Sequence, residues 1–206
     1  LEKRKRIAEL AERYGFYIIE DGPYRPLRYH GEDVPTYREL VPERVIFISS
    51  FSKTLSPGMR VGFMIGPKDL MPKFHKWSED TYIHPSLVTE GMVYEYCRRG
   101  LLDENIARLR GIYRPRLSAM LTALDKYVPD GDWTRPHGGF FVSGHLPDGC
   151  DIVDLRARAG EEGLRLSDGR GFFPNPSDGQ SFLRIPFCSL TPEEIDEGIA
   201  RLGRLM

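Results

Sequence analysis

Ile7, Leu10, Ala11 and Tyr14 recur at the spacing of one helical stripe, so residues 1–14 predict a helix with one buried face. Gly15 follows as its C-cap, because glycine accepts the left-handed conformation of a helix end. Phe16-Tyr17-Ile18-Ile19 is then a continuous apolar run of strand length, stopping at Glu20-Asp21-Gly22-Pro23. Val45-Ile46-Phe47-Ile48 and Val61-Gly62-Phe63-Met64-Ile65 repeat that texture, and Gly66-Pro67 closes the third run. Uninterrupted apolar strands beside a helix predict an α/β layer with a mostly parallel sheet. The polar stretch from Ser49 to Arg60 separates the second and third strands and contains a Pro57-Gly58 turn.

From Pro85 onward the period becomes helical. Val88, Met92, Val93, Tyr96 and Cys97 form one stripe ending at Gly100. Ile106, Leu109, Tyr113, Leu117, Met120 and Leu124 form another, on a long charged helix expected to break or kink at Pro115. Beyond it lie a strand at Gly139–Val142, a helix around Asp151–Glu162 and a short strand at Ser181–Phe187. The last helix opens on Thr191-Pro192-Glu193-Glu194, a capping box with proline at the first helical position. Its stripe is Ile195, Ile199, Leu202 and Met206. The expected organisation is an α/β part over residues 1–104 and a smaller α+β part over residues 105–206.

Composition narrows the function classes. With 29 basic and 30 acidic residues the net charge is -1, so a chain-wide nucleic-acid surface is not indicated. The basic run Glu2-Lys3-Arg4-Lys5-Arg6 reads as a solvated helix face. No apolar run approaches a membrane span. Cys97, Cys150 and Cys188 are odd in number and scattered, which argues against a disulfide framework or zinc site and favours a cytoplasmic setting. His30, His75, His84, His137 and His145 show no metal-ligand spacing.

In open α/β sheets, ligands gather beyond the carboxyl ends of parallel strands. Two segments stand there: Glu20-Asp21-Gly22-Pro23-Tyr24 after the first strand, and Ser49-Ser50-Phe51-Ser52-Lys53-Thr54 after the second. Each alone reads more simply as a turn or a polar loop. Together they offer a carboxylate, a phenol, two hydroxyls and an amine at one sheet edge, with Arg60 adding a cation. That set suits a phosphorylated cofactor carrying an aldehyde: the amine condenses with it, and hydroxyls and guanidinium hold the phosphate. The carboxylate keeps a ring nitrogen protonated, making the ring an electron sink.

Asp21-Gly22-Pro23-Tyr24 and the run Ser50-Phe51-Ser52-Lys53-Thr54-Leu55-Ser56-Pro57-Gly58-Met59-Arg60-Val61-Gly62 closely resemble the fold-type I pyridoxal-phosphate aminotransferases of class I/II. Arg4 through Ala11, Ile19-Glu20-Asp21, Pro136-His137-Gly138-Gly139-Phe140-Phe141 and Phe182-Leu183-Arg184-Ile185 support the likeness, which covers nearly the whole chain. The nearest look is to the subgroup with 2-aminoadipate-type aminotransferases and aminotransferase-like regulator bodies. The resemblance implies that Lys53 forms a Schiff base with pyridoxal 5'-phosphate and shuttles the substrate's Cα proton. It also implies that Asp21 pairs with the ring nitrogen, Tyr24 bonds the ring oxygen, and Ser50, Ser52 and Arg60 hold the phosphate. Arg184 is implied to bind the carboxylate of an amino acid or 2-oxo acid substrate.

Three family features have no matching position: a glycine-rich phosphate loop, an aromatic residue stacked on the ring, and an asparagine near its phenolic oxygen. The expectation is therefore the C-terminal half of a family chain: the C-terminal part of the large cofactor-binding domain, then a small domain. The absent methionine and the start inside a helix agree with it. The resemblance further implies a homodimer for the parent protein. Behind a winged-helix head, the same body would be the effector part of a transcriptional regulator, and only then would nucleic acid be a partner.

Two other chemistries fit less well. Ser50-x-x-Lys53 is also the nucleophile motif of penicillin-recognising enzymes, but Pro57-Gly58 stops the helix that motif needs. His137-Gly138-Gly139 is similar to an esterase oxyanion loop, yet no Gly-x-Ser-x-Gly elbow accompanies it. The segment Gly169-Arg170-Gly171-Phe172-Phe173 carries no assigned role.

Overall fold

Helix α1 (Glu2–Tyr14) ends where Gly15 enters the left-handed region at φ 73°, its N–H donating to the Ala11 carbonyl. This is the terminus that glycine's missing Cβ permits. The computed structural model describes residues 1–206, which form two compact units, Leu1–Leu109 and Arg110–Met206.

The first unit holds a three-stranded sheet in the order β1-β2-β3, made of β1 (Ile18–Asp21), β2 (Val45–Ser50) and β3 (Gly62–Ile65). β1 and β2 run parallel, with Ile18 opposite Val45 and Asp21 opposite Ile48. β3 returns antiparallel, placing Ser50 opposite Gly62. A third parallel strand would need a crossover long enough to carry a helix, and the segment between β2 and β3 holds only a turn and the 3-10 stretch Pro57–Met59.

The first strand begins at Ile18 rather than Phe16, leaving Phe16 and Tyr17 exposed, and Ile19 is 69% exposed. Ala8, Val41 and Val45 form a core cluster with Ile18, Tyr37, Leu40 and Phe47 packed against it. The short helix α2 (Tyr37–Leu40) enters through a reciprocal capping box between Thr36 and Glu39.

The charged face of α1 is not wholly solvated. Arg4 reaches Glu20 at 2.7 Å, the Glu20 side chain being only 9% exposed, and its guanidinium lies 4.6 Å from the Tyr37 ring centroid. Helix α3 (Met71–Tyr82), absent from the expected elements, has no buried residue. Helix α4 (Leu87–Arg98) buries Val93 alone.

Helix α5 (Leu101–Tyr127) runs on through Pro115, so of the expected break or kink the break does not occur. Proline removes the N–H that would serve the Gly111 carbonyl four residues back. Both residues are exposed, so water can serve it instead.

In the second unit, β4 (Asp132–Trp133), β5 (Phe141–His145) and β6 (Phe182–Pro186) form an antiparallel sheet in that order. Helix α6 (Ile152–Glu161) is capped by Asp151, whose carboxylate accepts the N–H of Val153 and Asp154. Helix α7 (Pro192–Arg204) opens on the expected capping box: Glu194 N–H donates to Thr191 Oγ1 at 3.2 Å, and Thr191 N–H to Glu194 Oε2 at 2.7 Å. Leu117, Leu124, Val142, Leu183, Ile195 and Leu202 are among the buried residues of the second unit. No helix is long and apolar enough to cross a membrane.

Candidate active site

The parallel pair β1–β2 fixes where the polar residues fall. Asp21 is the last residue of β1, and the Gly22 N–H donates to the Ile48 carbonyl at 2.9 Å, so chain 22–24 leaves beside β2. A tight turn follows, with Arg25 N–H donating to Gly22 O at 3.2 Å and Leu27 N–H to Tyr24 O at 2.9 Å. β2 runs two residues further, to Ser50.

Beyond β2, the Phe51 carbonyl accepts the N–H groups of Leu55 at 2.8 Å and Ser56 at 3.2 Å. That single turn carries Ser52 and Lys53. The Lys53 Nζ lies 5.6 Å from the Tyr24 ring centroid. Lys53 and Tyr24 are thus neighbours, while Asp21 and Ser50 close the two parallel strands at the end from which their segments depart.

Arg60 reaches the same sheet end by a different route. The Phe51 N–H donates to the Val61 carbonyl at 3.1 Å, which closes the loop from Phe51 to Val61. Arg60 caps the Pro57–Met59 stretch at φ 54°, a left-handed conformation uncommon for a residue with a Cβ. Its exposed guanidinium donates to the Pro57 carbonyl at 3.3 Å.

Arg184 stands in the second unit, on the edge strand β6 opposite Ser143. Its guanidinium carbon lies 4.0 Å from the ring centroid of Phe141 and 4.6 Å from that of Phe172. Ser167 fixes its backbone, its hydroxyl donating to the Arg184 carbonyl at 3.0 Å and accepting the Arg184 N–H at 3.4 Å.

Phe172 belongs to the segment 169–173, to which the sequence assigned no role. It sits at the end of a 3-10 turn, Gly169–Phe172, capped by Asp168. The Asp168 carboxylate takes Arg170 Nε at 3.0 Å and its terminal nitrogen at 2.8 Å, and Arg156 at 3.1 Å. The Arg170 side chain first, then its backbone N–H and the charges of Arg170 and Arg156, hold the Asp168 carboxyl at about 2, below its ordinary 3.8. The only signal in the sequence was the alternation of aspartate, arginine and two phenylalanines within an irregular stretch.

The polar groups at the end of the first sheet are an amine, a phenol, a carboxylate, two hydroxyls and a guanidinium. By its chemistry, that set suits an anionic, aldehyde-bearing aromatic ring. No group of three or more His, Cys, Asp or Glu is placed to hold a metal ion.

Residues 1–202 match the sequence model of the family described as "Aminotransferase class I and II". The chain belongs to this family. It is 36% identical over 204 residues to an aromatic-amino-acid aminotransferase of Thermococcus litoralis, covering 98% of this chain and 49% of that one. It is 36% identical over 211 residues to a 2-aminoadipate transaminase of Thermus thermophilus, covering all of this chain and 53% of the relative. Among solved structures, a kynurenine aminotransferase of Pyrococcus horikoshii superposes with a TM-score of 0.94 at 34% identity. That structure is a complex with PMP, with KYN as substrate and KYA as product; this chain is covered fully and that one to 51%. The chain therefore spans about half the length of the relatives it matches.

Proposed function

We propose that this chain is the lysine-bearing part of a pyridoxal-phosphate-dependent aminotransferase that moves an amino group between an amino acid and a 2-oxo acid. The observation that carries the reading is the Lys53 amine beside Tyr24, at the sheet end where Asp21 closes β1. When bound, the cofactor supplies an aldehyde for a primary amine and a ring that withdraws electrons from the substrate's Cα.

The remaining roles belong to residues of the chain. Lys53 binds the cofactor and then, as a free amine, takes the Cα proton and returns one on the cofactor side. The Asp21 carboxylate holds the proton on the ring nitrogen. The Tyr24 hydroxyl donates to the ring oxygen. Ser50, Ser52 and Arg60 bind the phosphate, the guanidinium as a charge and the hydroxyls as donors. Arg184 takes the substrate carboxylate as a planar fork and so sets which Cα bond is presented for cleavage.

The complete pocket, in this reading, draws on segments beyond these residues, and the whole protein works as a homodimer in the cytoplasm. Exposed Trp77, Tyr82, Ile83, Leu87, Val88 and Met92 in the first unit supply apolar area of the kind that interfaces use.

Adding pyridoxal phosphate to the chain and to a Lys53→Ala variant tests the cofactor assignment. A visible absorption band that depends on Lys53 is expected; an identical spectrum from both proteins would remove Lys53 from the role. Scanning amino acids for conversion of the cofactor to its amine form in the whole protein then tests the reaction. A regulator built on the same body would load the cofactor yet leave every amino donor unconverted.

A further inference from the structure

The turn that carries Lys53 is finished from a distant helix. One uncontinued helical turn leaves its last carbonyls without partners inside the turn. The Thr54 carbonyl is served by Asn105 of α5, whose Nδ2 donates to it at 2.7 Å. Thr54 is 4% exposed, so water is not a ready substitute at this place.

Asn105 is itself held in register. Its Oδ1 accepts the Arg108 Nε at 3.2 Å and a terminal Arg108 nitrogen at 2.8 Å. Arginine only donates, so the amide oxygen faces Arg108 and the amide N–H faces Thr54. Lys53 therefore sits in a backbone fixed on both sides: by the doubly accepting Phe51 carbonyl before it and by the capped Thr54 carbonyl after it.

We propose that Asn105 is a positioning residue for Lys53, holding the lysine turn so that the amine stays beside Tyr24. The inference rests on the reading of Lys53 as the cofactor lysine. It adds to that reading a group, far along the sequence, that touches neither cofactor nor substrate.

Two substitutions separate positioning from mere support. Asn105→Asp keeps the shape and the acceptor for Arg108 but removes the donor to Thr54. Asn105→His restores an N–H at a similar reach from Cβ. Each full chain is treated briefly with pyridoxal phosphate and borohydride, and the label on Lys53 is compared with that on exposed Lys68 by peptide mass spectrometry. Hydrogen exchange at the Leu55 and Ser56 amides is followed in parallel.

In Asn105→Asp the Lys53-to-Lys68 ratio is expected to fall roughly three- to tenfold, the scale set by one lost hydrogen bond, with faster exchange at both amides. Asn105→His is expected to recover both. Should Asn105→Asp fail to fold, Asn105→Ser, whose donor is too short to reach, carries the same comparison. A ratio and exchange rates unchanged in the donor-less variant would overturn the inference. Equal labelling of the two lysines in the wild-type chain would instead sink the cofactor reading, and the positioning role with it.

Discussion

The guanidinium of Arg184 lies 4.0 Å from the centre of the Phe141 ring, and Phe172 supplies a second ring at 4.6 Å. Two aromatic rings thus pack against the guanidinium, and under the proposed role its in-plane N–H donors serve the substrate carboxylate. A planar carboxylate is the partner that such a fork fits with two parallel hydrogen bonds.

That arrangement predicts unequal effects from two substitutions in the whole protein. Arg184→Lys keeps the charge and loses the fork, so KM for the amino acid should rise roughly tenfold or more. Phe172→Ala leaves the fork and loosens its stacking, for a rise in KM of roughly two- to fivefold with kcat less affected. Steady-state kinetics resolves the two. A loss confined to kcat in Phe172→Ala would show that the ring does something other than hold the arginine.

The loop that delivers Phe172 should respond to acid. The Asp168 carboxyl is lowered in the folded chain to about 2 from an ordinary 3.8, chiefly by the Arg170 side chain. A depressed carboxyl adds stability above its unfolded pKa and loses it as pH falls through the folded one. The contribution is therefore complete above about pH 4 and fades towards about pH 2. Urea titrations at several pH values should show the wild-type midpoint dropping across that window more steeply than that of Asp168→Asn. Parallel curves for the two proteins would remove the carboxylate from the account.

Local patterns made much of this legible, while long-range pairs stayed hidden. The lysine segment, the strand-end aspartate and the capping box at Thr191 are short runs whose chemistry is complete within a few residues. By contrast, the strand start at Ile18 rather than Phe16 is set by pairing with Val45, which an apolar run cannot disclose. Helix α3 carries Phe74 and Trp77 at helical spacing after Leu70, a sparse stripe that buries no residue and so has no core to mark. The partners of Arg4 and Thr54 lie 16 and 51 residues away, which is why one read as solvated and the other as ordinary loop. Phe172 was invisible for the same reason: its place depends on an ion-paired turn without periodicity.

That turn also packs without room to spare against β6. A Cβ built on Gly169 would stand 1.9 Å from the Phe182 carbonyl oxygen and 2.7 Å from that of Gly179, both backbone atoms that cannot rotate away. Gly169→Ala should therefore force the turn off the strand and cost about 3 kcal/mol, the upper range for overpacking. Chemical denaturation measures the loss, and near-ultraviolet circular dichroism should report the displaced Phe172 and Phe182 pair, whose rings now meet edge-on at 5.6 Å. A neutral result would mean that the close approach is not maintained in solution.

Pro115 offers the opposite opportunity. It sits inside α5 with no N–H to give, and its lost partner is the carbonyl of exposed Gly111. Because the helix already runs through this point, alanine needs no change of path and adds one hydrogen bond with better helical propensity. Pro115→Ala should stabilise the chain by about 1–2 kcal/mol, less than the full proline penalty of about 3 kcal/mol because proline also stiffens the unfolded chain. The measurement is a higher denaturant midpoint at unchanged slope. A destabilised variant would show that the proline bends α5 into a path its packed face, Leu117 and Met120 among it, requires.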